Sequence, residues 1–162
     1  MKKIVNKLLF KPVLLFVLVA AFVGCSSLKL YPDNLYKNLS IKLQKDKSTF
    51  FTDIETYLHI YKIDKQCKRT YMGSVELNKK NMQVGLPVNQ KLFLDFAFVR
   101  AGGGSSSVIK EGTMINVKSK TRYLADVLFE DGIYDVSMSY RKNKKNKSAK
   151  FKMIPIKACV KS

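Results

Sequence analysis

The chain has 162 residues, 46% of them hydrophobic, with 10 Phe and 8 Tyr. This content excludes a disordered acidic or Pro/Gly-rich chain, and the length suits one domain with a true core rather than two. Lys and Arg outnumber Asp and Glu by 30 to 12, a formal net charge of +18, which favours polyanionic partners: lipid headgroups, lipopolysaccharide, acidic wall polymers or nucleic acid.

The first residues carry Lys2, Lys3, Lys7 and Lys11 with no acid, followed by an apolar run from Val13 to Val23. A membrane-spanning helix takes roughly 20 apolar residues. This run is far shorter and is bounded by Lys11-Pro12 and Gly24, the layout of an export signal. Its end, Phe22-Val23-Gly24-Cys25, resembles the lipobox of bacterial lipoproteins, with Ser26-Ser27 following and Phe22 standing where Leu is usual. The resemblance implies cleavage after Gly24, a diacylglycerol thioether on Cys25 and acylation of the new amino terminus. Each buried methylene contributes about 0.8 kcal/mol, so two or three chains retain a protein where one does not. The expected location is therefore the cell envelope, anchored to the membrane by lipid. In a Gram-negative host, Ser26 resembles the pattern sent on to the outer membrane, facing the periplasm or the surface. Export makes nucleic acid the least natural of the polyanions.

Loss of the leader removes four lysines and no acid, so the exported part stays strongly basic, and it leaves two cysteines, Cys67 and Cys159. The compartment is oxidising, which predicts that they pair. Such a bond would close most of the domain and stabilise it by roughly 4 to 5 kcal/mol in the chain-entropy view.

Residues 25–48 read as a lipid-anchored tether followed by one strand, marked by a short alternation at Leu39, Ile41 and Leu43, and residues 49–162 as the folded domain. From Thr52 the period is mostly two, with Ile54, Thr56, Leu58 and Ile60 on one face and Tyr57, His59 and Tyr61 on the other. Ile54, Tyr57, Leu58 and Tyr61 also fit a helix face, but aromatic and branched residues favour a strand. Strands follow over 69–77, with Tyr71, Gly73, Val75 and Leu77 in phase, and over 81–86. Lys91 to Val99, apolar on both faces, is the candidate central strand. Ala101 to Ser107 should break it as a mobile Gly/Ser loop before a strand over 108–117. Alternation over 122–129, then Glu130-Asp131-Gly132, then alternation over 133–140 predicts a hairpin. A last strand is expected over 150–160, at an edge or bulged because Pro155 lacks an amide donor.

Seven or eight short strands without a helical period argue for an all-β, antiparallel two-sheet sandwich, with a small barrel as the alternative. Together with the lipobox, this pattern resembles the immunoglobulin-like or transthyretin-like domains of bacterial envelope lipoproteins, including the outer-membrane lipoprotein of type VI secretion. That resemblance is architectural and carries no motif for individual residues.

Candidate chemistry is sparse. His59 is the sole histidine and has no spaced metal partner, so neither a zinc site nor another cofactor is expected. Asp126, Glu130, Asp131 and Asp135 surround a predicted hairpin and read as solvent-facing rather than as an acid–base pair. Gly102-Gly-Gly104 lacks the lysine and the following helix of a phosphate loop. The basic run Arg141, Lys142, Lys144, Lys145 and Lys147 is either a solvated hairpin tip or a contact to an anionic glycan, lipid or acidic protein face. The reading this favours is a non-enzymatic, lipid-anchored envelope domain that binds a protein or anionic component. An assembly lipoprotein of a secretion or surface machine is the alternative, and a glycan- or lipid-acting enzyme a third.

Overall fold

A computed structural model of the chain describes residues 28–45, 53–102, 105–130, 133–142 and 148–159. The leader, Cys25, and Lys144, Lys145 and Lys147 lie outside the described residues.

Nine strands form two packed sheets. They are β1 (Lys37–Lys45), β2 (Asp53–Ile63), β3 (Arg69–Glu76), β4 (Asn81–Gly85), β5 (Gln90–Gly102), β6 (Ser105–Val117), β7 (Thr121–Glu130), β8 (Ile133–Lys142) and β9 (Ala149–Phe151). One sheet has the order β4-β1-β7-β8-β9 and the other β3-β2-β5-β6. The sandwich follows from alternation. Leu39, Ile41 and Leu43 of β1, Tyr123, Ala125, Val127 and Phe129 of β7, and Val136 and Met138 of β8 face Leu58, Ile60, Leu92, Leu94, Phe96, Phe98, Ile115 and Val117 in one continuous core. The expected central strand is β5, flanked on both sides and buried on both faces from Leu92 to Phe98.

Several expectations need correcting. The described residues hold nine strands against about seven or eight expected, and β1 lies parallel to β7, the other pairings within the sheets being antiparallel. The folded domain begins before residue 49, because the strand read after the tether, 37–45, lies between β4 and β7 with Leu39 fully buried in the core. Strands β5 and β6 extend to the pair Gly102–Ser105, so the Gly/Ser run is mostly hairpin instead of a long loop. The last strand stops at Phe151 and a short 3-10 helix, Ile156–Ala158, follows Pro155. A register shift opposite Ile60–Tyr61 sets Tyr71 against Tyr61 while Gly73 faces Ile60, so Tyr71 leaves the core face that Gly73 shares. The immunoglobulin order would put the first two strands in one sheet. Here β1 and β2 lie in opposite sheets.

The ends of the described chain close the two seams between the sheets. At the β3/β4 seam Lys29–Tyr31 runs along β3: the Ser74 amide donates to the Lys29 carbonyl at 2.8 Å and the Tyr31 amide to the Ser74 carbonyl at 2.9 Å. Gly73, at φ +146°, permits this approach, because a Cβ there would lie 2.7 Å from the Tyr31 backbone. At the opposite seam the chain after β9 rounds the edge of β6. The Met114 amide donates to the Ile154 carbonyl at 2.7 Å, and the Ile154 amide to Thr113 Oγ1 at 2.8 Å. Ile156 and Cys159 then cover a small outer cluster of Ile63, Phe93 and Met114. The Cys67–Cys159 disulfide, with Cα atoms 5.9 Å apart and a sequence separation of 92, fixes this segment to the β2–β3 turn.

Candidate functional site

The second seam is only partly covered, and a cleft of about 510 Å³ remains between the edge of β6 and the β8–β9 edge of the other sheet. Met114, Ile115, Tyr123, Phe151, Ile154 and Ala158 supply apolar surface, while Lys91, Lys118 and Lys142 supply three cations. No Asp or Glu lines it, and no ion pair among the described residues engages Lys118 or Lys142. Strand β5 brings Lys91, the β6–β7 turn brings Lys118 and the end of β8 brings Lys142. The Tyr123 hydroxyl accepts from the Lys118 amide at 3.0 Å and donates to the Asn116 carbonyl at 3.1 Å. This wall is therefore held by its own bonds, and its phenol is occupied. Lys91 Nζ donates to Cys159 Sγ at 3.3 Å, so the disulfide-held segment also positions one of the cations. Chemically the cleft attracts an anion: three like charges around one partly dry space repel each other, and a bound negative group relieves that repulsion.

The residues expected from sequence divide. Cys67 and Cys159 are brought together, and Cys25 lies outside the described residues. Arg141 and Lys142 close strand β8 opposite Arg122 and Thr121, both exposed, and only Lys142 lines the cleft. Lys144, Lys145 and Lys147 lie outside the described residues. Lys91 and Lys118 were not legible as partners of Lys142, because sheet pairing rather than sequence proximity unites them. The dense cations of the β6–β7 turn, Lys118, Lys120 and Arg122, were the available signal.

The outer face of the β3-β2-β5-β6 sheet carries a second polar cluster. Ser74 Oγ is hydrogen-bonded both to His59 Nδ1 and to the Tyr71 hydroxyl, and Asp95 stands opposite His59 in the pairing of β2 with β5. Burial lowers the His59 pKa from its ordinary value; Asp95 pulls it up and Lys110 pushes it down further. Burial likewise raises that of Asp95, against the pull of Lys110, His59 and Arg69. The residue types match a Ser-His-Asp set, but a working nucleophile has to face substrate. Ser74 is 3% exposed, shares its hydroxyl with a phenol and is bonded through its backbone to Lys29 and Tyr31. It serves to tie β2, β3 and the amino-terminal segment together.

Of the acids near the β7–β8 hairpin, Asp126, Glu130 and Asp135 are exposed, and Asp131 lies outside the described residues. Asp135 lies near Glu111, whose pKa is raised by burial and by that neighbour and lowered by the Val136 amide. Neither of that pair lines the cleft.

Among the described residues no group of three or more His, Cys, Asp and Glu could hold a metal ion, and no helix is long and apolar enough to cross a membrane. No protein-family model, curated protein or solved structure matches the chain, so its function has to be argued from the residues of the seam itself.

Proposed function

We propose that the protein is a non-enzymatic domain of the bacterial envelope, anchored through lipid on Cys25, whose seam cleft binds an anionic envelope component. The observation that carries the binding reading is the lining of that cleft, where Lys91, Lys118 and Lys142 meet apolar walls with no carboxylate among them. The basic run beyond Lys142 continues the same sign of charge along the sequence and adds long-range attraction that salt screens. The lipid supplies position, since it keeps the domain beside the polymers and lipids that carry negative charge.

The test uses the full chain in nanodiscs of zwitterionic lipid, offered lipopolysaccharide or an acidic wall polymer at low and at high salt. The double variant K118Q/K142Q should capture less at low salt and differ little from the parent at high salt. Equal capture by parent and variant at every salt concentration would sink the electrostatic reading. Intact mass of the membrane-extracted protein checks the anchor: the expected form begins at Cys25 and carries acyl chains, and a retained leader contradicts it.

One observation favours the second reading, an assembly lipoprotein of a secretion or surface machine. Strand β6 is an edge strand, and beyond the part covered at Thr113 and Met114 it presents Val108 and Ile109, 52% and 38% exposed. An open edge of this kind accepts a partner strand. A stoichiometric membrane partner that is lost when Val108 becomes Pro would support that reading over the first.

A further inference from the structure

We infer that the seam cleft takes a free single-chain anionic amphiphile, of which a fatty-acid carboxylate is the simplest member. This rests on the anion-binding reading above and adds the tail to the charge. The chemistry of the cleft is divided between its parts. Its floor and carboxy-terminal wall present Met114, Ile115, Phe151 and Ile154, whereas its cations come from three separate elements. A site for a bare anion has no use for an apolar floor, and a site for an apolar molecule has no use for three ammonium groups without acids.

Asn116 and Tyr140 add neutral polar groups to the lining, and two others are already engaged. The Tyr123 hydroxyl is engaged on both sides, and Thr121 Oγ1 donates to the Ser119 carbonyl at 3.3 Å. Lys91 gives one of its three protons to a sulfur, a weak acceptor, and keeps two. The lysines are thus the groups in the cleft that gain most from a carboxylate, and charge-assisted bonds of this kind are among the stronger ones. The volume, about 510 Å³, falls in the range of roughly 300–1,000 Å³ common to small-molecule sites. It gives room for one acyl chain and its head rather than for a two-chain lipid. Tail contact should involve Ile154, which is 39% exposed and so presents apolar surface that nothing else in the fold covers.

The test again uses the full chain in zwitterionic nanodiscs, with a fluorescent fatty acid as probe and empty nanodiscs as background. Probe binding should saturate above that background. Laurate should displace it at least about tenfold more effectively than dodecanol, which has the tail without the charge, and inorganic phosphate should not displace it. K118Q/K142Q should weaken laurate about tenfold and leave dodecanol unchanged, K118R/K142R should restore laurate, and I154S should weaken both. Dodecanol equal to laurate would overturn the role of the lysines. Phosphate as effective as laurate, or saturable capture of lipopolysaccharide with no probe binding, would remove the amphiphile and leave the anion reading standing. Loss of probe binding and of polymer capture together would remove both.

Discussion

The two seams of the sandwich are closed by opposite ends of the described chain and by different physics. At the β3/β4 seam the amino-terminal segment is held by backbone bonds on both sides of Ser74, by the space that Gly73 leaves and by Tyr31, buried at 7% exposure. Burial pushes the phenol of Tyr31 up to about 12, and a cleft of about 470 Å³ remains beside it between β3 and β4. At the β6/β8 seam the closing segment makes two backbone-directed bonds through Ile154, leaves a cleft beside them and depends on a covalent bond for the remainder of its course. Both seams therefore keep a cleft, but the lysines of the first, Lys37 and Lys79, share it with Asp33 and Glu76. The seam stapled at its far end is the one whose cleft gathers cations without acids.

Breaking the staple should have the largest effect. Cys67→Ser with Cys159→Ser removes a loop closure over 92 positions and should cost about 4 kcal/mol in urea unfolding. The sharper readout is local. Amide exchange should speed up at Met114 and Ile154 in the variant, while Tyr31 and Ser74 keep their protection. Equal loss at both seams would show that they are one cooperative unit, and the contrast between them would fall.

Gly73→Ala attacks the other seam. The positive φ and the approach of the Tyr31 backbone both oppose a Cβ, and a cost of about 2 kcal/mol is expected. Here the exchange pattern should reverse, with Tyr31 exposed and Met114 still protected. Smaller again in stability is K118Q/K142Q, both exposed residues, which should shift unfolding by no more than about 0.5 kcal/mol. Its weight falls on ligand capture, which separates the function of the β6/β8 seam from its stability.

What the sequence made legible follows the range of the interactions. Alternation placed β2, β3, β4, β7 and β8 to within two residues at each end, because period-two burial is written locally, and left β5 and β6 three residues short where they meet at Gly102 and Ser105. The disulfide was legible from the two cysteines left once a leader is set aside, on the expectation of an oxidising compartment. The pairing of β1 with β7 was not, since Leu39 to Lys45 meets Tyr123 to Phe129 across most of the chain and no local signal announces a parallel partner. Pro155 was read as a mark of an edge strand, whereas it ends the extended run and starts a turn that the cystine holds. For the site, Lys142 was legible in its basic run, but its partners depended on a register set by β5, β6 and β7. The shift opposite Ile60 that turns Tyr71 outward was equally hidden, and with it the bonds among His59, Ser74 and Tyr71.

That outer-face network gives the smallest and most specific prediction. The folded state lowers the His59 pKa, so the stability it contributes is present above the unfolded value of 6.5 and is lost as pH falls through the lowered value. The folded state raises that of Asp95, so its contribution is present below 3.8 and is lost as pH rises through the raised value. Between those two ordinary values the terms act in opposite directions on acidification, His59 weakening the fold and Asp95 strengthening it. The parent should therefore show a flattened profile of unfolding free energy against pH, each proton being worth at most about 1.4 kcal/mol per pH unit. Asp95→Asn removes one side of the balance and also removes the charge that pulls His59 upward, so its stability should fall more steeply than the parent's between pH 6.5 and 4. His59→Gln should slope the other way over the same interval. Parallel profiles for the parent and both variants would mean that the two groups do not sense each other across β2 and β5.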